Sequence, residues 1–360
     1  MDGETSWQPV DAADGPALAD SAVVREWDAL VDRSDEPRPW LRPGWVLAWW
    51  RAFGRGRLAL LTLRRSGRPA ALVPLARTRR GVSSPTNYHT PAFDVVAEDP
   101  DAGRRLVEEV FRSRPGHVRL RFLPAEGQAA AAVRATAGAC GYRLVERTLA
   151  RSPYVDADAT WQDYRDTLGG KLRRELRRRR RRLEAQGRVT VTIDGEREGL
   201  DELLDECFRI EAIGRRGRGG AIASDTATAS FYREACAWAA DHGMLRIARL
   251  RLDQRAIAFD LAFEERGRHY LLKTGYDPGF APLALGLLLR AEMIERAFGT
   301  GLRSYEFLGT DEAWKLAWAR SVRELVELRA FGPTVSGTAG WAATTYLRPA
   351  AVRVLERAGR

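Results

Sequence analysis

The stretch from Tyr270 to Trp318, YLLKTGYDPGFAPLALGLLLRAEMIERAFGTGLRSYEFLGTDEAWKLAW, constrains the fold more than any other part of the chain. It reads as a strand, a polar turn, a Pro/Gly loop, an apolar helix, a second strand and an acidic turn with a lysine. A strand that feeds a loop and a helix N-terminus is how α/β architectures hold a ligand. The segment also holds Lys273 and Lys315. With Lys171 these are the only lysines among 58 lysines and arginines. A lysine that survives such a bias marks a candidate position for a compact ammonium that can lose its proton, which arginine cannot do.

A length of 360 residues favours two domains over one, and 45% hydrophobic residues with 11 tryptophans suffice for real cores. The net charge of +10 favours anionic partners such as nucleotides, CoA, nucleic acid or lipid headgroups. Basic drift of an arginine-biased chain accounts for it equally well. Cys140, Cys207 and Cys236 are far apart, lack metal spacing and are flanked by small or apolar residues, so buried packing in a reducing compartment is expected. His89, His117, His242 and His269 are scattered, and no metal site is expected. The acidic start MDGETSWQPVDAADG has no apolar core of a signal peptide, and no run approaches the roughly 20 apolar residues of a membrane span. The expected location is the cytoplasm.

Residues 1–20 read as a flexible lead. Helices are expected over Ser21–Asp32 and Trp45–Phe53, and a hairpin around Arg65-Ser66-Gly67-Arg68. A helix over Asp101–Arg112, a strand over His117–Leu123 and a helix over Gln128–Ala139 complete a domain spanning 21–150. A second domain, 151–331, begins with a very basic helix from Tyr164 to Ala185. A strand over Val189–Ile193 and helices over Leu200–Ile213 and Thr228–Asp241 follow. Then come strands over Leu245–Leu252, Ala256–Phe263 and His269–Lys273, a helix over Leu285–Phe298 and a strand over Ser304–Leu308. The tail, 332–360, reads as one amphipathic helix with Leu347, Val352 and Leu355 on its inner side. LALLTLRRSGRPAALVPLA at Leu58 aligns without gaps to LRIARLRLDQRAIAFDLAF at Leu245, with Arg68 and Arg255 in matching places. Its occurrence in both halves points to duplication.

The order of motifs from 151 to 318 resembles the Gcn5-related N-acetyltransferase (GNAT) superfamily. The similarity is greatest to the CelD/BcsL-type, cellulose-biosynthesis-associated branch, related to the Fem peptidyltransferases with tandem GNAT domains. It rests on SPYVDAD at Ser152, KLRRELRRRRRRLEAQGRVTV at Lys171, FRIEAIGRRGRGGAIA at Phe208, FYREACAWA at Phe231, the hairpin at Leu245, LLKTGYDPGFAPLALGLLL at Leu271 and YEFLGTDEAWKLAWA at Tyr305. A fainter match, PGWVLAWWRAFG at Pro43, extends it into the first half. The resemblance implies an α/β protein with mixed sheets, two tandem GNAT-like domains, the first degenerate, and a cleft between them. It implies an acyltransferase that moves an acetyl or longer acyl group from acyl-CoA to an amine or hydroxyl of a sugar, sugar-nucleotide or polysaccharide precursor. Two other readings stay open: a Fem-like transferase using aminoacyl-tRNA, and a basic binding protein without activity. Relatives carry Ser-Pro-Gly where this chain has Ala284-Leu285-Gly286, and the RxxGxG/A signature is absent.

Under this resemblance, Gly279, Leu285, Gly286 and Leu287 are the expected CoA-binding positions, with backbone N–H groups turned to phosphate. A plain strand-to-helix loop uses glycines in the same way. Direct transfer needs a neutral amine, a polarised carbonyl and a proton for the departing thiolate. Glu211, Asp260, Asp277, Glu306 and Asp311 are the candidates to take the amine's proton, directly or through water. Glu211 otherwise lies on a solvated helix face, and Asp260 otherwise points outward from its strand. Tyr276 is the candidate proton donor or else a core-edge aromatic. Lys315 either faces a ligand beside Trp314 and Trp318 or only pairs with Asp311, four residues earlier. Lys273, Asp277, Glu306, Asp311 and Trp318 complete the expected substrate-binding set. The arginines from Lys171 to Arg182 are an exposed helix face, with tRNA, another anionic ligand or a membrane surface as candidate partners.

Overall fold

The computed structural model describes residues 3–10, 21–215 and 220–347. The chain divides into two compact units: one takes residues up to Arg151 and those from Glu324 on, the other Ser152–Arg323. The first runs β1 (Glu4–Val10), α1 (Ala22–Arg33), α2 (Pro43–Phe53), β2 (Arg57–Arg65), β3 (Arg68–Thr78), β4 (Gly81–Ser83), β5 (Val96–Ala97), α3 (Pro100–Arg112), β6 (His117–Pro124) and α4 (Gln128–Ala139). Strand β7 (Arg143–Asp156) leads into the second: α5 (Trp161–Thr167), α6 (Gly170–Glu184), β8 (Val189–Asp194), α7 (Leu200–Gly214), α8 (Thr226–Asp241), β9 (Leu245–Leu252), β10 (Arg255–Glu265), β11 (Arg268–Tyr276), α9 (Leu285–Gly299), β12 (Ser304–Glu306) and α10 (Ala313–Leu316). Strand β13 (Ser321–Phe331) and helix α11 (Val335–Ala342) close the described chain, apart from a π-turn over Ala343–Leu347.

Strand order in the first unit is β1-β2-β3-β4-β6-β13, with β5 beside β3. In the second it is β7-β12-β11-β10-β9-β8. Only β4–β6 and β11–β12 pair in parallel among these neighbours. Both units therefore repeat one sequence of parts: a strand, two helices, three antiparallel strands, a helix, and a strand parallel to the last of the three. The repeat legible in two hairpins extends to this run of elements, with β5 in the first unit and α5 and α6 in the second as additions. Strands β3 and β10 are buried along nearly their full length instead of alternating, because helices cover the sheet. Helices α1 and α3 pack on β3, and α7 and α9 on β10. The first hairpin turns on Ser66 and Gly67, both at positive φ, 50° and 80°, as a two-residue turn requires.

Several expectations need correction. Within the supposed flexible lead, Glu4–Val10 is an edge strand paired with β2, and its Pro9 is tolerated at a sheet edge. The boundary expected at Arg151 falls inside β7, and the segment from Glu324 counts with the first unit, not the second. Both β7 and β13 escaped sequence reading because dense charges, and Pro153 in β7, mask their alternation. The basic helix breaks at Leu168-Gly169 into α5 and α6. Strand β12 stops at Glu306, two residues early, because the chain turns at Leu308, φ +55°. Cys207 and Cys236 are buried as expected, whereas Cys140 is exposed. Val352, Leu355 and the side chain of Leu347 lie outside the described residues.

Candidate active site

Strands β11 and β12 pair over three positions only: Arg268↔Ser304, His269↔Tyr305 and Tyr270↔Glu306. Then β12 ends, and Leu308 and Gly309, at φ +55° and +65°, turn the chain away. Strand β11 runs on to Tyr276. From Leu271 onward its β12-facing edge has no strand partner among the described residues. A bulge at Leu272, between the pairs Leu271↔Ala262 and Lys273↔Leu261, adds a local bend. An open strand edge presents unpaired N–H and C=O groups that an extended, amide-bearing ligand can pair with.

The turn after β11 is built by Asp277. Its Oδ1 accepts from the Gly279 N–H at 2.8 Å and its Oδ2 pairs with Arg255. Asp277 is thus a structural cap and not a free substrate ligand, and the Gly279 N–H is already committed. Ala284 enters α9 in the left-handed region, φ 51° and ψ 53°, with no side-chain cap and no acidic residue in the first turn. The Leu287 N–H donates to the Ala284 carbonyl at 2.9 Å. The N–H groups of Leu285 and Gly286 have no side-chain acceptor, and the positive end of the helix dipole is concentrated there. Tyr276, 43% exposed, lies over this turn: a Cβ added at Gly286 would sit 4.0 Å from its ring. Its hydroxyl donates to no described residue.

Arg290 sits on the same helix and points into the sheet. It is 1% exposed, like Asp260. Its Nη1 donates to Asp260 Oδ2 at 2.5 Å and to the Tyr305 hydroxyl, and its Nη2 donates to Asp260 Oδ1 at 2.9 Å and Thr274 Oγ1 at 3.3 Å. One guanidinium thus ties β10, β11 and β12 together where β11 and β12 part. Burial opposes its charge, but Asp260 and Tyr305 outweigh that and raise its pKa. With both oxygens held by Arg290, Asp260 is a buried ion-pair partner and not a catalytic base. The Trp314 ring, 42% exposed, stands 5.5 Å from the guanidinium. Thr274 and Trp314 therefore flank the pin at the opening.

Beyond β12, Lys315 is a staple. Its Nζ donates to the carbonyls of Leu308 at 2.9 Å and Thr310 at 3.0 Å and pairs with Glu312 at 3.0 Å. Burial lowers its pKa, opposed by Glu312. All three protons are spent on shaping the 308–312 loop, so the expected ligand-facing role gives way to a structural one; the short helix α10 does bring it near Asp311. Trp318 is 2% exposed in the core, and Glu306, 3% exposed, is held by Ser304, Arg268 and Arg323. Neither is open to substrate.

The other side of β11 carries a second group. Strand alternation turns Lys273 and Gly275 away from the Thr274 side. A Cβ at Gly275 would lie 3.2 Å from the Glu211 Cα and 2.5 Å from the Phe259 ring, so glycine is what lets α7 approach. Glu211 is 3% exposed, not solvated. Its Oε2 accepts from the Ile222 N–H at 2.7 Å and its Oε1 pairs with Arg215 Nε at 2.9 Å. Both oxygens have partners, which removes the geometric basis for a free base. Lys273 is half-buried with its Nζ 5.3 Å from the Tyr232 ring centroid.

Sequence reasoning missed Arg290, Arg215 and Tyr232. For Arg290 the signal was present: a lone arginine in the apolar face of LGLLLRAEMIERAF answers a lone aspartate in AIAFDLAF. Buried charges occur in such complementary pairs.

A family model described as the acetyltransferase (GNAT) domain matches residues 170–316. Among solved structures, FemX is similar at 12% identity, TM-score 0.58, covering 85% of this chain and 95% of that one. The C-terminal domain of a candidate lysylphosphatidylglycerol synthetase from Agrobacterium fabrum is similar at 15% identity, TM-score 0.55, covering 89% and 95%. A tandem GNAT protein from the clavulanic acid biosynthesis pathway is similar at 14% identity, TM-score 0.51, covering 92% and 100%. At such identities these are likenesses of fold. No curated protein sequence matches the chain. The matched segment spans the basic helix, the open strand edge and the uncapped helix, and its match to a GNAT-type acetyltransferase domain supports an acyltransferase.

Proposed function

We propose that the second unit transfers an acyl group, acetyl in the simplest case, from acyl-CoA to an amine or hydroxyl of a saccharide, sugar-nucleotide or polysaccharide precursor, as in the CelD/BcsL-type branch, in the cytoplasm. The observation that carries the reading is the α9 N-terminus. It offers Leu285 and Gly286 N–H groups without a side-chain cap or an acid, after the turn over 277–284 that follows a strand whose edge lacks a strand partner among the described residues. Such a turn suits a pyrophosphate, and the open edge of β11 suits the amide-bearing arm of the donor. Tyr276 lies beside Gly286 and its hydroxyl has no hydrogen-bond partner among the described residues, which supports a role as proton donor in this region. The Arg290 pin keeps the strands parted and is a positioning residue.

Calorimetric titration with acetyl-CoA tests this. Micromolar binding is expected, and weakening by tenfold or more in Gly286→Pro, which removes one N–H from the first turn of α9, with circular dichroism checking that the variant is folded. Absence of binding by acetyl-CoA and longer acyl-CoAs would overturn the reading. The arginines of α6 favour one alternative donor, aminoacyl-tRNA. Arg174, Arg177 and Arg181 lie on one side of the helix and make no ion pair among the described residues. Bulk tRNA that binds with a steep salt dependence, in the absence of CoA binding, would move the assignment there.

A further inference from the structure

Two lysines in the second unit have opposite circumstances. Lys315 has three acceptors for its three protons. Lys273 is half-buried and has no hydrogen-bond or ion-pair partner among the described residues; its one close contact is the face of Tyr232. A partly desolvated ammonium without an acceptor is costly to keep. A packing role would be filled more cheaply by an apolar residue, and a simple charge by one of the abundant arginines. The neighbouring charges do not balance it either. Glu211 and Arg215 are the charged groups that act on Lys273, and the single carboxylate already holds the Ile222 N–H and Arg215. The Arg215 side chain is 48% exposed and pairs with Glu211 through its Nε, and its two Nη groups have no hydrogen-bond or ion-pair partner among the described residues. Among the described residues the cluster of Lys273, Arg215 and Glu211 is one carboxylate short of neutrality, on the face of β11 opposite the α9 turn.

We propose that Lys273 and Arg215 form a receptor for an oxyanion, phosphate or carboxylate, carried by the acyl acceptor, with Glu211 holding Arg215 in place. This rests on the acyltransferase reading and narrows its acceptor to an anionic one. Burial lowers the Lys273 pKa, with Glu211 opposing and Arg215 assisting, so a bound oxyanion raises it.

Having only three lysines makes the test direct. Protein labelled with 13C at the lysine ε-carbon gives three signals, and Lys273→Gln identifies the one of interest. Inorganic phosphate, glucosamine 6-phosphate and glucuronate are titrated, with glucosamine and chloride as neutral and simple-ion controls. The expected result is a saturable shift of the Lys273 signal and a raised pKa with a phosphate or carboxylate probe, weakened tenfold or more in Arg215→Gln and absent with glucosamine. The arms tell phosphate from carboxylate. No response to any oxyanion, a response equal to that with chloride, or one unchanged in Arg215→Gln overturns the proposal. Acetyl-CoA binding in the same preparation separates the two failures. Binding of acetyl-CoA with a silent Lys273 sinks this inference alone, and a responsive Lys273 without CoA binding sinks the donor reading alone.

Discussion

Helices α3 and α9 occupy the same place in the repeated order, and their N-termini are opposite in character. Helix α3 is capped by Asp99, whose Oδ1 accepts from the Ala102 N–H at 2.8 Å, with Pro100 at its start and Asp101 in its first turn. Arg65 pairs with both aspartates. Helix α9 has alanine at that position and no acid. The strand edges differ in the same sense. Past the β4–β6 pairing, the Ser84 N–H donates to the Arg119 carbonyl at 3.0 Å, Ser84 Oγ accepts from the Arg121 N–H at 3.0 Å, and the Phe93 N–H donates to the Phe122 carbonyl at 2.9 Å. The first unit closes the edge with its own chain, and the second leaves it open over the Arg290 pin. One architecture thus yields a capped helix start beside a covered strand edge in one unit and an uncapped start beside an edge without a strand partner among the described residues in the other.

The largest expected effect comes from breaking the pin. Arg290→Met leaves the Asp260 carboxylate buried without its partner, which costs about 3–5 kcal/mol. Urea unfolding should show this loss, and the double variant Arg290→Met with Asp260→Leu should recover much of it by removing the stranded charge. A single variant as stable as the parent would mean that the ion pair does not hold the strands.

Making the second unit like the first should come next in size. Ala284→Asp places a carboxylate at the helix start. Aspartate tolerates the left-handed conformation, but from there it cannot cap in the usual extended geometry. Stability should barely change, while acetyl-CoA affinity falls about 10- to 100-fold through repulsion of phosphate. Calorimetry on folded protein separates the two. Unchanged affinity would place the donor elsewhere.

A third contrast is pH. His269 pairs with Tyr305, where the first unit has Val82 against Val118. His269 is fully buried, its Nδ1 lies 2.9 Å from Glu264 Oε1, and its Nε2 has no hydrogen-bond partner among the described residues. Burial lowers its pKa below the ordinary value, with Glu264 opposing. The unfolded chain then binds the proton more readily, so this stability is present above about pH 6.5 and is lost as pH falls towards the folded value. Each unit of depression corresponds to about 1.4 kcal/mol. Burial shifts His117 the same way, but it is only half-buried, at the start of β6, and its ring contacts the Arg80 carbonyl. Hydrogen exchange at pH 7.5 and 5.5 should show β11–β12 loosening before β4–β6, and His269→Val should remove the difference. Equal loosening in both units would remove His269 as its cause.

Much of this fold was legible because its signals are local. Ser66-Gly67 between apolar runs specifies a hairpin, and the spacing of Val24, Trp27 and Val31 specifies a helix face. The order of motifs then pointed to the acetyltransferase (GNAT) domain whose model matches residues 170–316. The site was less legible, because partner assignment is three-dimensional. Asp260, Asp277, Glu306 and Lys315 read as free functional groups, and each is consumed by a partner distant in sequence or by backbone carbonyls. Sequence gives the charge and not the acceptor. The uncapped start of α9, by contrast, is visible as the absence of Ser, Thr, Asp or Asn before Leu285.

The smallest effect probes the comparison from the other side. Asp99→Ala in the first unit removes the α3 cap, and such losses cost about 1 kcal/mol. Asp99 is also held by Arg65, so part of that figure reflects a half-exposed ion pair, which contributes little in water. If the cap alone distinguished the units, freeing this helix start would create a second anion site, and calorimetry would show acetyl-CoA binding twice per chain. Binding should instead remain at one site. Asp101 still stands in the first turn, Pro100 offers no N–H, and residues 84–93 still occupy the edge along which the donor's arm would lie. A second site in Asp99→Ala would show that the sealed edge matters less than the cap. One site in Asp99→Ala, with loss in Ala284→Asp, would show that an open edge and an uncapped helix are both required.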